Sequence, residues 1–379
     1  MGSDAAKKES DTTPAPYYSC NMDRPFFLDK RVSTWFHLGM SHTFGIAGFY
    51  LLAVGAIPRA AIWLVLLHGY IGDFGITIGA HRLWSHHTFK ARLPLQIFLA
   101  YCQTAAGQLS IFQWCRDHRL HHKYADTYAD PYSTRRGLFF SHMGWLLRKE
   151  HPLCKEMEKN IPLHDLNDDW VIWIQSKFYW PLFAISGFVV PIWTFTYFFP
   201  ELTWFQLFAL NYAQLLIPMH LIFCVNSIAH RYGFRPWDKY INPVDVPILS
   251  YFIIGEGWHN YHHTFPWDYK SHEAGLPGFG INWGRLIIEF FAWTGQAYDL
   301  KTVPMELALK RMNRTGYPKL EDNHFHSAPK KIPLKNEKGE EIEEDDDHKE
   351  TPVWGWGDET MHKEDLDITE TSYVRSSSG

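Results

Sequence analysis

Long apolar stretches alternate with polar stretches along the 379-residue chain. A helix crosses a bilayer with about 20 apolar residues, and four windows reach that length, near residues 36–57, 60–80, 178–199 and 204–225. Only Pro58 and Arg59 separate the first two windows, and the stretch PELT at 200–203 separates the last two. Connections this short predict two helical hairpins and therefore four membrane spans.

Two further apolar stretches need a separate interpretation. Residues 93–114 are long enough to cross a membrane, but they contain Gln and Ser. We expect this segment to form a helix lying on the membrane surface or shallowly in it, because a crossing would separate the histidines before it from those after it. Residues 246–255 are too short to span. Everything polar after each hairpin is therefore expected on one side of the membrane.

Positive charge predicts which side that is. Lys and Arg are frequent in residues 1–35 and 81–177, whereas the two short turns hold Arg59 alone. Loops rich in Lys and Arg stay in the cytosol, so both termini and the large loop are predicted to be cytosolic. The expected fold is an all-α integral membrane protein with four transmembrane helices under a cytosolic helical cap. The predicted segments are an N-terminal arm at 1–35, hairpins at 36–80 and 178–225, cap parts at 81–177 and 226–320, and a tail at 321–379.

The predicted tail is acidic and poor in apolar residues, and we expect it to be disordered. It supplies most of the net charge of −5, so that charge says nothing about a nucleic-acid partner, and none is expected. The stretch VWGWG at 353–357 lies within it. This stretch is either a short docking motif or a chance cluster, and the sequence favours the chance cluster.

Candidate chemistry comes from histidine. The chain has 22 His, and its five Cys never occur as CxxC, which argues against a disulfide scaffold and fits a reducing compartment. Four clusters lie on the predicted cytosolic side: HRLWSH, HRLHH, NSIAH and HNYHH. Their nine histidines are His81, His86, His118, His121, His122, His230, His259, His262 and His263, and NSIAH begins with Asn226.

The spacing within these clusters predicts metal binding. Residues three and four apart share one face of a helix, so each HxxHH would direct its three imidazoles to one side. His81 and His86 are five apart, about 140° around an α-helix. They could hold one ion only if the helix ends between them or if they serve from its two flanks; His87 is a weaker competitor for the role of His86.

Nine histidines are too many for one zinc ion, which takes about four ligands. Two metals with four or five nitrogens each account for the number. Imidazole suits several transition metals, so the ligand type does not name the metal. The absence of Cys from the clusters argues against structural zinc.

The four clusters, in this order and between two pairs of spans, resemble the animal acyl-CoA desaturases of the stearoyl-CoA desaturase family. The resemblance extends from GITIGAHRLWSHHTFKA through RDHRLHHKYADTYADP and VNSIAHRYGFRPWD to GEGWHNYHHTFPWDY and AYDLK. It implies a di-iron centre held by the nine histidines, with Asn226 holding a metal through water. It also implies O2 as co-substrate, electrons from cytochrome b5 and NADH-cytochrome b5 reductase, and a place in the endoplasmic reticulum membrane.

The resemblance also implies substrate contacts. Arg116 and Asp117 are expected at the coenzyme A head, and Trp114 along the tunnel for the acyl chain. Arg148 and Lys149 are the expected second basic contact, with plain positive-inside charge as the other interpretation. The family has its basic pair one residue later, where this chain has Lys149 and Glu150.

Two positions depart from the family. Asp73 stands where a small apolar residue is usual near the closed end of the tunnel, and Ile222 stands where a Thr is common. An ionisable residue in a span is a functional candidate, but a buried structural role for Asp73 is equally consistent with the sequence. Glu256 and Asp130 either orient ligand imidazoles or are ordinary acids.

The predicted function is O2-dependent insertion of one cis double bond into a long-chain fatty acyl-CoA, at carbon 9. No catalytic residue beyond the metal ligands is expected. The alternatives that stay open are desaturation at another position such as carbon 11, or hydroxylation of a related lipid. Rivals from other classes are a metal transporter, a zinc-dependent membrane hydrolase and an inactive relative that binds acyl-CoA. A transporter would hold its ligands near the bilayer midplane, unlike these boundary clusters.

Overall fold

The computed structural model describes residues 32–272, 282–316 and 351–374, together with the backbone of two short strands between 334 and 342. Helices dominate. They are α1 (Val32–Ala53), α2 (Ile62–Phe74), α3 (Leu93–Ala105), α4 (Ile111–Tyr124), α5 (Leu138–His142), α6 (Pro152–Met157), α7 (His164–Asp168), α8 (Trp170–Lys177), α9 (Tyr179–Phe183), α10 (Val190–Phe198), α11 (Trp204–Ser227), α12 (Pro247–Phe252), α13 (His259–Thr264), α14 (Trp283–Trp293), α15 (Met305–Thr315) and α16 (Lys363–Ile368).

Short strands join distant parts of the chain in antiparallel pairs. They are β1 (Lys90–Ala91) with β2 (Ala297–Tyr298), β3 (Leu300–Thr302) with β6 (Glu370–Ser372), and β4 (Leu334–Lys335) with β5 (Glu341–Ile342). The first two pairs tie the region that follows α2, and the end of the chain, to the segment between α14 and α15. The expected all-α fold thus carries small β elements.

Within the part of the chain that the structure describes, three helical segments are long and apolar enough to cross a membrane. They are Arg59–Ser85, Tyr179–Phe198 and Trp204–His230. Each corresponds to one predicted window. Thr203 begins the last of them with a capping box, in which its side chain accepts from the Gln206 amide and the Gln206 side chain accepts from the Thr203 amide. The predicted turn at 200–203 therefore ends at a capping box that fixes the start of the helix.

The first predicted window corresponds to α1, a 22-residue helix that does not belong to these three. Its first half carries polar residues such as Ser41 and His42, which lower its mean hydropathy. It nevertheless packs with the others, because Leu52 shares a buried cluster with Val65, Phe195 and Leu210. A four-span anchor stays a prediction.

The segment 93–114 is not one helix as expected. It contains two helices, α3 and the first turn of α4, separated by residues 106–110. Gly107 and Leu109 have positive φ angles of 68° and 69°, and Ser110 caps α4 by accepting from the Gln113 amide. A left-handed backbone ends a helix and a capping serine begins one, so the break has a local cause. The histidines on the two sides of this segment still meet.

The prediction of a disordered tail from residue 321 onward is wrong for residues 351–374. We call this stretch the C-terminal segment. It contains α16 and β6, and Val353 and Met361 are buried in one cluster with Trp237 and Trp267. Its apolar side chains are few, but the aromatic cluster that contains Trp237 and Trp267 buries them. The remaining predicted tail lies outside the described residues, apart from the backbone of β4 and β5.

Helix α2 continues without interruption as a π-helix, Gly75–Ser85, and packs closely on α3. A Cβ at Gly75 would lie 2.0 Å from the Gln103 backbone nitrogen, which is far inside contact distance. We expect Gly75→Ala to lower the free energy of unfolding by about 1–3 kcal/mol, the usual cost of overpacking. The measurement is chemical unfolding in detergent.

Gly39 in α1 is the matched control for Gly75, because no atom lies within 4 Å of the Cβ position there. Gly39→Ala should be neutral or should stabilise by up to about 1 kcal/mol, since alanine favours a helix over glycine. Equal effects of the two substitutions would contradict the tight packing of α2 on α3.

Candidate metal centre

The fold brings the four histidine clusters together at the cytosolic ends predicted for the membrane helices. Among the described residues, nine buried or nearly buried histidines form two groups, in each of which all candidate ligand atoms lie within 4.8 Å of one another. The first group is His81, His86, His118, His122 and His262. The second group is His121, His230, His259 and His263. Five and four nitrogens match the number expected for two metal ions.

A π-helix brings His81 and His86 together although they are five residues apart. The helix ends at Ser85, between the two residues, and the His86 amide donates to the His81 carbonyl at 3.1 Å. In a π-helix the hydrogen bonds run between residues five apart, so residues five apart lie one turn above each other. The imidazole ring centroids are 4.7 Å apart. Both rings therefore reach the first group.

The two HxxHH motifs each divide their histidines between the groups. On α4, His118 and His122 join the first group, while His121 joins the second. On α13, His259 and His263 join the second group, while His262 joins the first. Residues four apart are neighbours on a helix surface, and the third histidine crosses to the adjacent group. Each motif thus serves both groups, rather than directing three imidazoles to a single point.

The nitrogens that converge are all Nε2. In the first group Nε2 of His86 lies 2.8 Å from that of His118, and Nε2 of His262 lies 2.9 Å from that of His81. In the second group the distance between Nε2 of His230 and Nε2 of His259 is 3.0 Å. An ion holding two imidazole nitrogens at about 2.1 Å and at a right angle sets them about 3.0 Å apart. The separations fit coordination to a shared ion.

Carboxylates hold the opposite side of three of these rings. Nδ1 of His81 lies 3.2 Å from Glu256. Nδ1 of His121 lies 3.0 Å from Asp130, and Nδ1 of His230 lies 2.9 Å from Asp126. Glu256 and Asp130 are therefore orienting partners rather than ordinary acids. Asp126 was missed, although it lies four residues before Asp130 in ADTYAD.

The donor pattern suits a cation between the rings. A carboxylate only accepts hydrogen bonds, so a neutral imidazole beside it carries its proton on Nδ1 and a lone pair on Nε2. His121 and His230 each face a carboxylate in this way, and their Nε2 atoms lie 3.2 Å apart. Two lone pairs at that distance repel unless a positive ion lies between them. The residues present therefore fit a bound metal ion.

The electrostatics keep the rings in the state that binds metal. Burial, followed by repulsion from neighbouring imidazoles, holds the pKa of His118 and of His122 well below the usual value. Burial raises the pKa of the Asp126 carboxyl, but His230, Thr134 and His121 together outweigh burial and lower that pKa. Neutral imidazoles and ionised carboxylates are the forms that metal sites use.

An apolar cavity of about 390 Å³ opens beside the two groups. Its polar wall includes His81, His118, His121, His259 and Glu256, and aromatic and aliphatic side chains make up most of the rest. Trp114 lines the cavity and stacks on His118 with ring centroids 4.8 Å apart. The arrangement places both groups of nitrogens against a space suited to an apolar chain.

Only some of the predicted substrate contacts line this cavity. Among the described residues that line it, Trp114 and Asp117 are present, whereas Arg116, Arg148 and Lys149 are not. Arg116 donates to Asp117 at 2.8 Å. Burial raises the pKa of Asp117 to about 6, although Arg116 lowers it in turn. The basic side chains therefore lie outside the apolar part of the site.

Three other predicted positions have distinct surroundings. Asn226 and Ile222 both line the cavity. Asp73 is fully buried, and neither of its carboxylate oxygens has a hydrogen-bond partner among the described residues. It is not among the described residues that line the cavity. His87 joins neither group, and its Nε2 lies 2.9 Å from Asp165.

Comparison with known proteins agrees with this site. A family model described as fatty acid desaturase matches residues 57–286. An acyl-CoA Delta-9 desaturase of Acheta domesticus is 40% identical over 327 residues, covering 86% of this chain and 81% of that protein. An acyl-CoA Delta-12 desaturase of Tribolium castaneum is 41% identical, covering 86% and 87%. A stearoyl-CoA desaturase of Bos taurus is 44% identical, covering 70% and 74%. With nine histidines gathered in two groups and matches of this extent, the chain belongs to the fatty acid desaturase family.

Proposed function

We propose that this protein is a membrane acyl-CoA desaturase that inserts one cis double bond into a long-chain fatty acyl-CoA, at carbon 9. The observation that carries the proposal is the position of two imidazole groups along the wall of one apolar cavity. The names of the relatives support the substrate class, since all three are acyl-CoA or stearoyl-CoA desaturases.

The resident cofactor we propose is a pair of iron ions, one in each histidine group. The first ion takes His81, His86, His118, His122 and His262, and the second takes His121, His230, His259 and His263, with Asn226 contributing through a water molecule. Bound iron supplies the O2 chemistry that removes hydrogen from an unactivated methylene, which no side chain can do.

The chain's own residues bind and position the substrate. The acyl chain occupies the apolar cavity, where Trp114 restricts its path and keeps water away from the reacting carbons. Holding those carbons in one place selects which bond is oxidised and contributes much of the rate. The coenzyme A head binds near Arg116 and Asp117, with Arg148 and Lys149 as a second basic contact for its phosphates.

The surroundings that we propose follow from the same family membership. The protein lies in the endoplasmic reticulum membrane with four spans, counting α1, and with both termini and the cap in the cytosol. Cytochrome b5 and its NADH-dependent reductase deliver the electrons. The three apolar helices support membrane residence, and the excess of Lys and Arg on the loops of one side supports the orientation.

A different double-bond position is the second candidate. Ile222 lines the cavity at a place where the family commonly has a Thr, and the relatives include Delta-9, Delta-11 and Delta-12 enzymes at 40–42% identity. A change of shape in the cavity shifts the carbons that face the histidine groups. Desaturation at carbon 11, or hydroxylation of a related lipid, would then be the product of the same site.

Expression in a yeast strain that lacks its own desaturase tests the proposal. We expect growth without added unsaturated fatty acids and the appearance of monounsaturated acyl chains, because the site supplies the missing reaction. Mass spectrometry of the derivatised fatty acids then gives the double-bond position. A bond at carbon 9 supports the main proposal, and a bond elsewhere or a hydroxylated product supports the second candidate.

The matched control is the same strain with a variant that lacks two histidines of the first group, His118 and His122. It should accumulate in the membrane but form no unsaturated product. Absence of new products with the unaltered protein present in the membrane, and with a range of acyl chains supplied, would overturn the proposal. Purified protein that held one zinc ion and no iron would point instead to a hydrolase.

A further inference from the structure

The C-terminal segment reaches the metal centre itself. Nδ1 of His86 hydrogen-bonds the backbone carbonyl of Trp354, and the Trp356 amide donates to the His86 carbonyl at 2.9 Å. A carbonyl only accepts, so His86 carries its proton on Nδ1 and presents a lone pair on Nε2. Trp354 thus acts on His86 as Glu256 acts on His81. The partner here comes from the end of the chain.

The two backbones touch at Gly355. A Cβ at this position would lie 2.6 Å from Cα of His86 and 2.7 Å from its carbonyl oxygen. Real Cβ atoms do not approach backbone so closely, and the φ of 155° is also unfavourable for other residues. Only glycine lets the segment approach His86 closely enough for both hydrogen bonds. The first glycine of VWGWG, Gly355, is therefore required by this close approach.

Two side chains of α4, Lys123 and Arg119, hold the segment in place. Lys123, next to His122 on α4, donates to the carbonyl of Pro352 at 2.8 Å and lies 3.0 Å from Asp358. Asp358 in turn accepts from the Trp354 amide at 2.9 Å. The Trp354 ring is buried, and the Arg119 guanidinium lies 4.2 Å from its centre. These contacts fix the direction of the Trp354 carbonyl.

The rest of the segment is anchored farther away. Strand β6 pairs with β3, and the Trp267 indole donates to Thr369 at 3.0 Å. Val353 and Met361 are buried against the aromatic cluster of the cap. The segment is therefore anchored at several points besides His86, at Val353, Met361, Thr369 and strand β6. These contacts hold the segment against the protein and so keep the Trp354 carbonyl beside the His86 imidazole.

We propose that the C-terminal segment is a structural part of the metal centre, with the Trp354 carbonyl as the positioning group for His86. It holds the His86 imidazole in the tautomer and orientation that bind the ion of the first group. VWGWG is then a positioning motif and not the chance cluster that the sequence favours. This inference rests on the proposed metal centre, because it assigns a role toward the ion in the first group.

A pair of glycine substitutions in the full-length protein tests the proposal. Gly355→Ala should displace the Trp354 carbonyl, because the new Cβ cannot fit against His86. Loss of a group that orients a metal ligand typically weakens metal binding by about 10–100-fold. We expect one of the two metal ions to be released to a chelator about tenfold faster or more, while the other is retained. Metal analysis of the purified protein after timed chelation measures this.

Gly357 provides the matched control. It has a φ of 95°, so alanine is strained there as well, but no atom lies within 4 Å of the Cβ position. Gly357→Ala should retain both ions as the unaltered protein does. Trp354→Phe is a second variant that keeps the carbonyl and an aromatic ring near Arg119, and it should also retain both. Thermal unfolding in detergent checks that all three variants fold.

The outcomes separate this inference from the proposed function. Unaltered protein that binds no iron would overturn the proposed metal centre. Unaltered protein with two ions, together with equal release from the Gly355→Ala and Gly357→Ala variants, would overturn the role of the segment alone. Simultaneous loss of both ions with a lowered unfolding temperature in Gly355→Ala would assign the segment a general structural role and would also contradict the proposal.

Discussion

We expect the His118→Ala variant to form no measurable desaturated product and to lose one of two metal ions. His118 directs Nε2 to within 2.8 Å of Nε2 of His86, so its loss opens the first group. Removing even an orienting partner of a ligand costs about 10–100-fold, and removing the ligand itself should cost at least about a hundredfold in activity. Product analysis by mass spectrometry and metal content per chain are the two measurements.

His263→Ala is the companion variant, because His263 belongs to the second group and lies 3.1 Å from His259 between Nε2 atoms. It should also lose one ion, with the first group still loaded. His164 is the control: it is an exposed histidine at the start of α7, outside both groups. His164→Ala should keep both ions and full activity. Retention of two ions by both ligand variants would contradict the division into two groups.

The histidine ligand candidates could be found from the sequence because their spacing follows helix geometry. Residues four apart must be neighbours on a helix, so the pairing of His118 with His122 and of His259 with His263 is local information. For all four clusters to meet, residues 93–114 and 246–255 must not cross the membrane. The first argument uses helix periodicity and the second uses segment length and the positions of the histidines, and the two groups in the structure are consistent with both.

Features that depend on the three-dimensional path of the backbone could not be predicted in this way. The π-helix that aligns His81 with His86 has no sequence signature, because its hydrogen bonds differ from those of an α-helix only in register. The break at Gly107 and Ser110 did carry signals, a glycine and a capping residue, but the apolar composition of 93–114 masked them. Amino-acid composition predicts which segments are buried better than it predicts where a helix is interrupted.

The C-terminal segment is the clearest case of a tertiary effect. Its composition is acidic and gives no sign of a core, yet Val353 and Met361 are buried against Trp237 and Trp267, which lie far earlier in the chain. The residues that orient the imidazoles were likewise found in part only. Glu256 and Asp130 were candidates as acids near a histidine cluster, whereas a backbone carbonyl such as that of Trp354 has no residue type to reveal it.

Arg119 connects the π-helix to α4, and its replacement is expected to have the largest effect on stability. Its side chain is fully buried and donates to the carbonyls of Trp84 and Ser85 at 2.8 and 3.1 Å. It also donates to Asp165 at 2.8 and 2.5 Å. It therefore fastens the last turn of the π-helix, just before His86, to the helix that carries His118, His121 and His122.

We expect Arg119→Met to lower the free energy of unfolding by about 3–5 kcal/mol, the usual cost of breaking a buried ion pair from one side. The carbonyls at the end of the π-helix and the Asp165 carboxylate would lose their donor. Adding Asp165→Leu to the same chain should recover part of the loss, because no uncompensated carboxylate then remains. Recovery is only partial, since Asp165 also faces His87 at 2.9 Å. Chemical unfolding in detergent gives the three free energies.

Arg285 and Glu289 are the matched pair for this comparison. They form an ion pair at 2.8 Å within α14, but the Arg285 side chain is 37% exposed. Exposed pairs of this kind contribute about 0–1 kcal/mol, so Arg285→Met should hardly change stability. A similar small effect for Arg119→Met would mean that the buried network does not hold the π-helix against α4. The orientation of His86 would then depend on the C-terminal segment alone, and the Gly355→Ala variant would be the more damaging of the two.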